Sequence, residues 1–359
     1  MSEQTIDVTT GQKTTYDTIA RKAANQHRLL SIQWELTYRC NERCSHCYLD
    51  VMPPSAKVPG ELSTDEAKKL IDDLVRLNAL TITFSGGEVF VRPDIFEIAS
   101  YARKKGFAIR FFTNGILIKP EMADKIAAVK PVVVEFSVYG SRAETHDGIT
   151  QVPGSYDLTM RAIRLLLERG VRCIIKTPIM KENIEQVGEL QEQAKDLGVS
   201  FQYDLTIVPK HTGDVSPLKH RPSDDQLLAF LRDRVNTETW TLYQLEEEHR
   251  FCGIGLSSLT VSPYGEIYTC VGARVSAGNI RTSPIHNIWH DSTVWEETGN
   301  LTISKLPVCS TCELRQFCVR CHGTAAFEDG DMLGCSSVAY REARLRRQAY
   351  SDNLAKLGG

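Results

Sequence analysis

A chain of 359 residues can bury a full core and leaves room for a large and a small unit. Its net charge of -3 and pI near 6.3 supply no field to hold a polyanion, and no apolar stretch approaches the ~20 residues of a membrane span, so neither nucleic acid nor membrane is an expected partner. Residues 1–30 lack the apolar centre of a secretory signal, which predicts a cytoplasmic protein, and in that reducing compartment eleven closely spaced cysteines point to metal ligation rather than disulfides.

The amino-terminal extension, 1–29, carries a modest helical segment at 16–24, and an apolar run at 30–36 predicts the first strand. Directly after it stands Cys40-x3-Cys44-x2-Cys47. Three thiolates so close together hold three irons of a [4Fe-4S] cube and leave the fourth without a protein ligand. Structural zinc normally takes four protein ligands, and no fourth lies nearby. Ser63, with Glu66 three residues on, forms a capping box for an amphipathic helix whose apolar face reads Ala67, Leu70, Ile71, Leu74, Leu77. Strand 80–84 then breaks into Ser85-Gly86-Gly87-Glu88 before a helix at 94–105.

The pattern repeats. Strand 107–112 ends in Thr113-Asn114-Gly115 with a helix beyond Pro120, and strand 132–138 ends at Tyr139-Gly140 with a helix at 155–169. Strand 171–176, holding Cys173 as a small buried hydrophobe, is followed by a helix at 184–197 and a strand at 200–207. Six strands joined by helical crossovers imply a parallel sheet with ligands at the strands' carboxyl ends, and six units are too few for a closed eight-unit barrel. The expected fold is α/β, a curved, partial (β/α)6 barrel over 30–208. Its mouth would be lined by residues 40–47, Gly86, Gly87, Glu88, Asn114 and Ser137. Alternation along the fourth strand sets Glu135, Ser137 and Tyr139 on one face, with Glu135 either facing the lumen or held in an ion pair by Arg110 or Lys176.

Residues 209–250 read as a polar linker with a helix at 224–236, its histidines and glutamates forming a solvated face. Residues 251–359 form a cysteine-rich unit with a carboxyl-terminal helix, starting with two short strands around Pro263-Tyr264-Gly265. Cys309-x2-Cys312-x5-Cys318-x2-Cys321 alone could be a zinc knuckle. With Cys252, Cys270 and Cys335 the number rises to seven, which suits two iron-sulfur clusters, one with four thiolates and one with three and an exchangeable position.

These motifs together resemble the radical S-adenosylmethionine superfamily, in its SPASM branch, named for subtilosin, pyrroloquinoline quinone, anaerobic sulfatase and mycofactocin maturases. Cys40, Cys44 and Cys47, flanked by Tyr38-Arg-Cys-Asn41 and His46-Cys-Tyr48, match the cluster motif of that family, and Gly86-Gly87-Glu88 matches its clamp for the methionine amino group. Asn114 and Ser137 match positions that hold the ribose or carboxylate. The resemblance implies that Cys309, Cys312, Cys318 and Cys335 hold an outer auxiliary cluster and that Cys252, Cys270 and Cys321 hold an inner one with an open iron. His322, or another oxygen or nitrogen ligand from the tail, could close it. One departure is the last gap of the four-cysteine run, two residues where three are commonest.

The implied chemistry is one-electron cleavage of S-adenosylmethionine to a 5'-deoxyadenosyl radical, which takes a substrate hydrogen inside a closed lumen. Electrons would come from a flavodoxin or ferredoxin. The implied substrate is a peptide or protein, crosslinked or oxidised at a side chain, with Glu135, Tyr139 and Asp204 as candidate catalytic residues. Sulfatase maturation is disfavoured because Val271 follows Cys270 where those enzymes carry Asp, and Ser258 stands where they carry a further cysteine. Thirty amino-terminal residues cannot form the winged-helix leader-binding domain of many peptide maturases, so a separate protein would present the peptide. The alternatives are a small-molecule oxidase or decarboxylase acting on a tetrapyrrole, and an iron-sulfur electron carrier. A carrier would have no use for an amino-acid clamp beside an open iron.

Overall fold

Residues 15–235 and 245–357 are described in this computed structural model; positions 1–14 of the expected extension, 236–244 of the expected linker and 358–359 lie outside them, as does Asn236, the expected end of the linker helix. Six parallel strands lie side by side in chain order: β1 Ser31–Thr37, β2 Thr81–Gly86, β3 Ala108–Thr113, β4 Val133–Ser137, β5 Cys173–Pro178 and β6 Ser200–Asp204. The helix Thr64–Arg76 starts at the capping box, Ser63 Oγ accepting from the Glu66 N–H and Glu66 Oε2 accepting from the Ser63 N–H, and it buries Ala67, Leu70, Ile71 and Leu74 against the sheet. Phe84, Phe111 and Phe136 rise from neighbouring strands into the same core. The alternate positions, Arg110, Phe112, Glu135 and Lys176, therefore face the lumen. Cys173 is buried in β5, as its apolar neighbours implied.

The tail does not stand apart as a second body. Strand β7 Ser258–Val261 pairs in parallel with β1, with Ser31 opposite Ser258 and Trp34 opposite Val261, and β8 Glu266–Tyr268 and β9 Ser276–Asn279 continue antiparallel beyond it. One nine-stranded sheet results. The physical reason is that β1 would otherwise end the sheet with a row of unpaired backbone groups beside the cysteine loop, and the hairpin covers that edge. Strand β9 escaped the sequence reading because Ser276-Ala-Gly-Asn279 has almost no β propensity. The helix Ala143–Thr150 did so because its threonines, Asp147 and Gly148 are poor helix formers. The linker helix, Asp224–Arg232, packs on the long carboxyl-terminal helix, Ser337–Leu357, through ion pairs of Arg341 and Arg344 with Asp224 and of Arg232 with Asp352.

Candidate functional site

The cysteine loop leaves β1 and lies backbone against backbone on the glycine turn after β2. The Gly87 N–H donates to the Thr37 carbonyl at 2.8 Å and the Glu88 N–H to the Arg39 carbonyl at 2.9 Å. A side chain at Gly87 would collide with the Arg39 carbonyl, and Gly86 combines a φ of 121° with the same closeness to Thr37. Both glycines are therefore required for the approach. The loop backbone is pinned elsewhere too, Cys40 N–H to Met52 O at 2.8 Å and Ser45 N–H to Ile149 O at 3.0 Å.

Glu88 is fully buried, and its carboxylate accepts from the Asn114 N–H and the Thr113 hydroxyl, each at 2.8 Å, and from the Phe90 N–H at 3.1 Å. Burial pushes its pKa up to about 7 against those donors. Through these three protein donors the carboxylate ties the turn after β2 to the turn after β3. Glu88→Ala should thus lower stability by about 1–3 kcal/mol, and S-adenosylmethionine affinity should fall with it as the turn loosens. Urea denaturation beside calorimetric titration checks this. Affinity lost at full stability would instead mark a direct ligand contact.

Asn114 reaches the cysteine loop, its Nδ2 donating to Asn41 Oδ1 at 3.0 Å and lying 3.9 Å from Cys40 Sγ. Asn41 Nδ2 is buried without a partner, a donor that a bound polar group could satisfy. Ser137, half-buried at the end of β4, hydrogen-bonds Tyr139, whose hydroxyl lies 3.9 Å from Cys44 Sγ and whose ring meets His46 edge-on at 4.7 Å. Of the three catalytic candidates only Tyr139 touches the cysteine loop. Glu135, 1 % exposed, is held by Arg110 Nε at 2.9 Å and Lys176 Nζ at 2.5 Å, so both expected partners engage it at once. Asp204 Oδ1 accepts from the Thr206 N–H in a turn that ends β6 three residues before the expected limit.

Ten cysteines fall into three sets: beyond the effect of burial, Cys40 and Cys44 are raised by each other's or Cys47's charge, Cys252 by those of Cys270 and Cys321, and Cys309, Cys318 and Cys335 by those of one another or Cys312. The last four also line one cavity. Among the described residues no three donors close around a single metal ion, and a cube of iron and sulfide spreads its thiolates farther apart than one ion does. Burial pushes the Cys40 thiol up to about 12 and Cys47 up to about 11, and a coordinating metal removes such protons outright. His322 Nδ1 meets Arg320 Nη1 and lies 3.5 Å from the Met332 carbonyl, and its Nε2 is buried without a partner.

One element of the site escaped the sequence reading. Glu35, fully buried in β1, accepts from Arg274 Nη2 at 2.6 Å on both oxygens, from Tyr38 Oη at 3.0 Å and from Tyr48 Oη at 2.9 Å. Tyr38 and Tyr48 flank the cysteine loop and Arg274 follows Cys270, so this network joins the first set to the second. An acid inside the apolar run Trp34-Glu35-Leu36 was the available signal.

The family model of the Radical SAM superfamily matches residues 34–194, and that of an iron-sulfur cluster-binding domain, SPASM, matches 252–313. The chain is 32 % identical to the AdoMet-dependent heme synthase of Methanosarcina barkeri over 84 % of its own length and 93 % of the relative's. It is 31 % identical to the mycofactocin maturase MftC of Mycobacterium tuberculosis over 75 % of its length and 72 % of the relative's. In fold it is similar to Streptococcus suis SuiB bound to its precursor peptide SuiA, with a TM-score of 0.68 and 16 % identity over 91 % of this chain and 81 % of the other. No described helix is long and apolar enough to cross a membrane. The chain belongs to the SPASM branch of the radical S-adenosylmethionine superfamily, and it is an enzyme whose cofactors are S-adenosylmethionine, a [4Fe-4S] cluster and auxiliary iron-sulfur clusters.

Proposed function

We propose that Cys40, Cys44 and Cys47 hold the S-adenosylmethionine cluster, that Cys309, Cys312, Cys318 and Cys335 hold the outer auxiliary cluster, that Cys252, Cys270 and Cys321 hold the inner one with an open iron, and that the enzyme oxidatively modifies a peptide. Bound at the first set, the cofactors supply one-electron cleavage of the sulfonium to a 5'-deoxyadenosyl radical that removes a substrate hydrogen. The carrying observation is that the first two sulfur sets are joined through Glu35 and Arg274 at the mouth of the barrel. The residues do the rest. Gly86, Gly87, Asn114 and Ser137 shape the cofactor's seat, and Glu88 fixes two of its turns. Tyr139 packs beside Cys44 with His46 edge-on to its ring, while Arg110 and Lys176 both pair with the single carboxylate of Glu135 in the lumen wall.

Similarity to a mycofactocin maturase supports a peptide substrate. In this reading a separate leader-binding protein presents it, and a flavodoxin or ferredoxin supplies electrons in the cytoplasm. Near full-length similarity to a heme synthase favours a second reading, oxidation or decarboxylation of a tetrapyrrole. The deciding experiment reconstitutes the protein anaerobically and supplies dithionite and S-adenosylmethionine. It then compares 5'-deoxyadenosine yield with peptides encoded beside the gene and with carboxylate-bearing tetrapyrroles. A peptide product lighter by two hydrogens is expected; turnover with the tetrapyrrole alone would replace the peptide reading. The same preparation should carry about ten to twelve irons per chain by chemical assay.

A further inference from the structure

The shortened gap Cys318-Val319-Arg320-Cys321 sets an arginine between a sulfur of the outer set and one of the inner set. Its two intervening residues part company, Val319 being 64 % exposed and Arg320 only 2 %. The Arg320 guanidinium is fixed from one side: Nη1 meets His322 Nδ1, and Nη2 donates to the carbonyls of Met332 at 2.6 Å and Gly334 at 2.7 Å. These partners are an imidazole and two carbonyls, and the side chain also hydrogen-bonds Cys309 of the outer set. Its Nε, shielded from solvent, has no hydrogen-bond acceptor. A buried cationic donor without an acceptor is a costly arrangement and calls for an explanation. The side chain lines the same cavity as Cys309, Cys312, Cys318 and Cys335, and its charge favours the thiolates of Cys309, Cys318 and Cys335.

We propose that Arg320 is the counter-charge of the outer auxiliary cluster, its Nε–H donating to a sulfur of that cluster and holding the cluster's reduction potential up. The inference rests on the assignment of Cys309, Cys312, Cys318 and Cys335 as one ligand set. Four thiolates leave such a cluster negatively charged, and the added electron makes it more so. A fixed cation with an N–H on sulfur stabilises the reduced form most, and arginine cannot relieve the field by losing its proton. Arg320 is thus a positioning and tuning residue. It makes the outer cluster a better acceptor for an electron passed outward from the inner one, with no bond made or broken.

The test is a potentiometric titration of the full-length reconstituted protein followed by electron paramagnetic resonance, with the outer signal assigned by its loss in Cys335→Ala. Arg320→Gln should keep the wild-type iron content and shift the outer potential downward by at least a tenfold change in equilibrium constant, about 59 mV for one electron. Arg320→Lys keeps the charge but not the Nε–H, and should give a smaller shift of the same sign. It also carries the test alone if Arg320→Gln does not load iron. An unmoved outer potential with three clusters present overturns the role of Arg320. Wild-type protein with no cluster on the outer set overturns the ligand assignment beneath it, and the two failures are told apart by iron content.

Discussion

Replacing Cys40, Cys44 and Cys47 together with alanine should abolish 5'-deoxyadenosine formation and lower bound iron by about four per chain, with the iron of the tail retained. Loss of function here would not be loss of fold. The loop backbone is held by bonds that do not involve the sulfurs: Cys40 N–H to Met52 O, Met52 N–H to Tyr38 O at 2.9 Å, Arg43 N–H to Thr150 O at 3.1 Å and Ser45 N–H to Ile149 O. The other two sulfur sets lie in the tail, beyond β1 and the loop. Iron and sulfide assays, circular dichroism and chromatography of the cleavage product on the triple variant read all three consequences. Residual cleavage, or zinc as the dominant metal of the anaerobically purified wild type, would remove the cluster assignment.

Local signals were legible in the sequence and distant ones were not. The six barrel strands, the capping box at Ser63 and Glu66 and the cysteine triplet each depend on residues a few positions apart, and the structure places them where periodicity and spacing put them. Gly86 and Gly87 were legible as a turn, but what demands glycine is the Thr37 to Arg39 backbone lying against them, about fifty positions away in sequence. Glu88 was legible as part of a turn and of the ammonium clamp, but nothing in a Gly-Gly-Glu triplet shows that Thr113 and Asn114 will donate to it from the next strand. The pairing of β7 with β1 was hidden for a related reason. A four-residue strand specifies its partner only through the sheet edge it finds, and that edge belongs to the other end of the chain.

Arg274→Met is expected to destabilise the protein by about 3–5 kcal/mol, the range for a buried ion pair broken at one end. Glu35 has no exposed surface and the Arg274 side chain is 9 % exposed, so neither charge recovers hydration when its partner is removed. The variant would leave the Glu35 carboxylate with only the Tyr38 and Tyr48 hydroxyls in a dry site. Arg274→Lys should restore only part of the loss. A single ammonium cannot place donors on both Glu35 oxygens and Tyr38 Oη as the guanidinium does, nor stack over the Tyr268 ring, which now lies 5.1 Å from the cation. The stronger check is a double-mutant cycle with Glu35→Gln, read by denaturant unfolding of the reconstituted protein. Removing the buried anion along with its cation relieves the worst state, so the double variant should lose clearly less than the sum of the two single losses. Because Arg274 sits four residues after Cys270 and its partners flank the first cysteine loop, the coupled loss should also appear as weaker retention of iron on the inner set. Additive single effects with unchanged iron would show that the pair does not join the two sulfur sets.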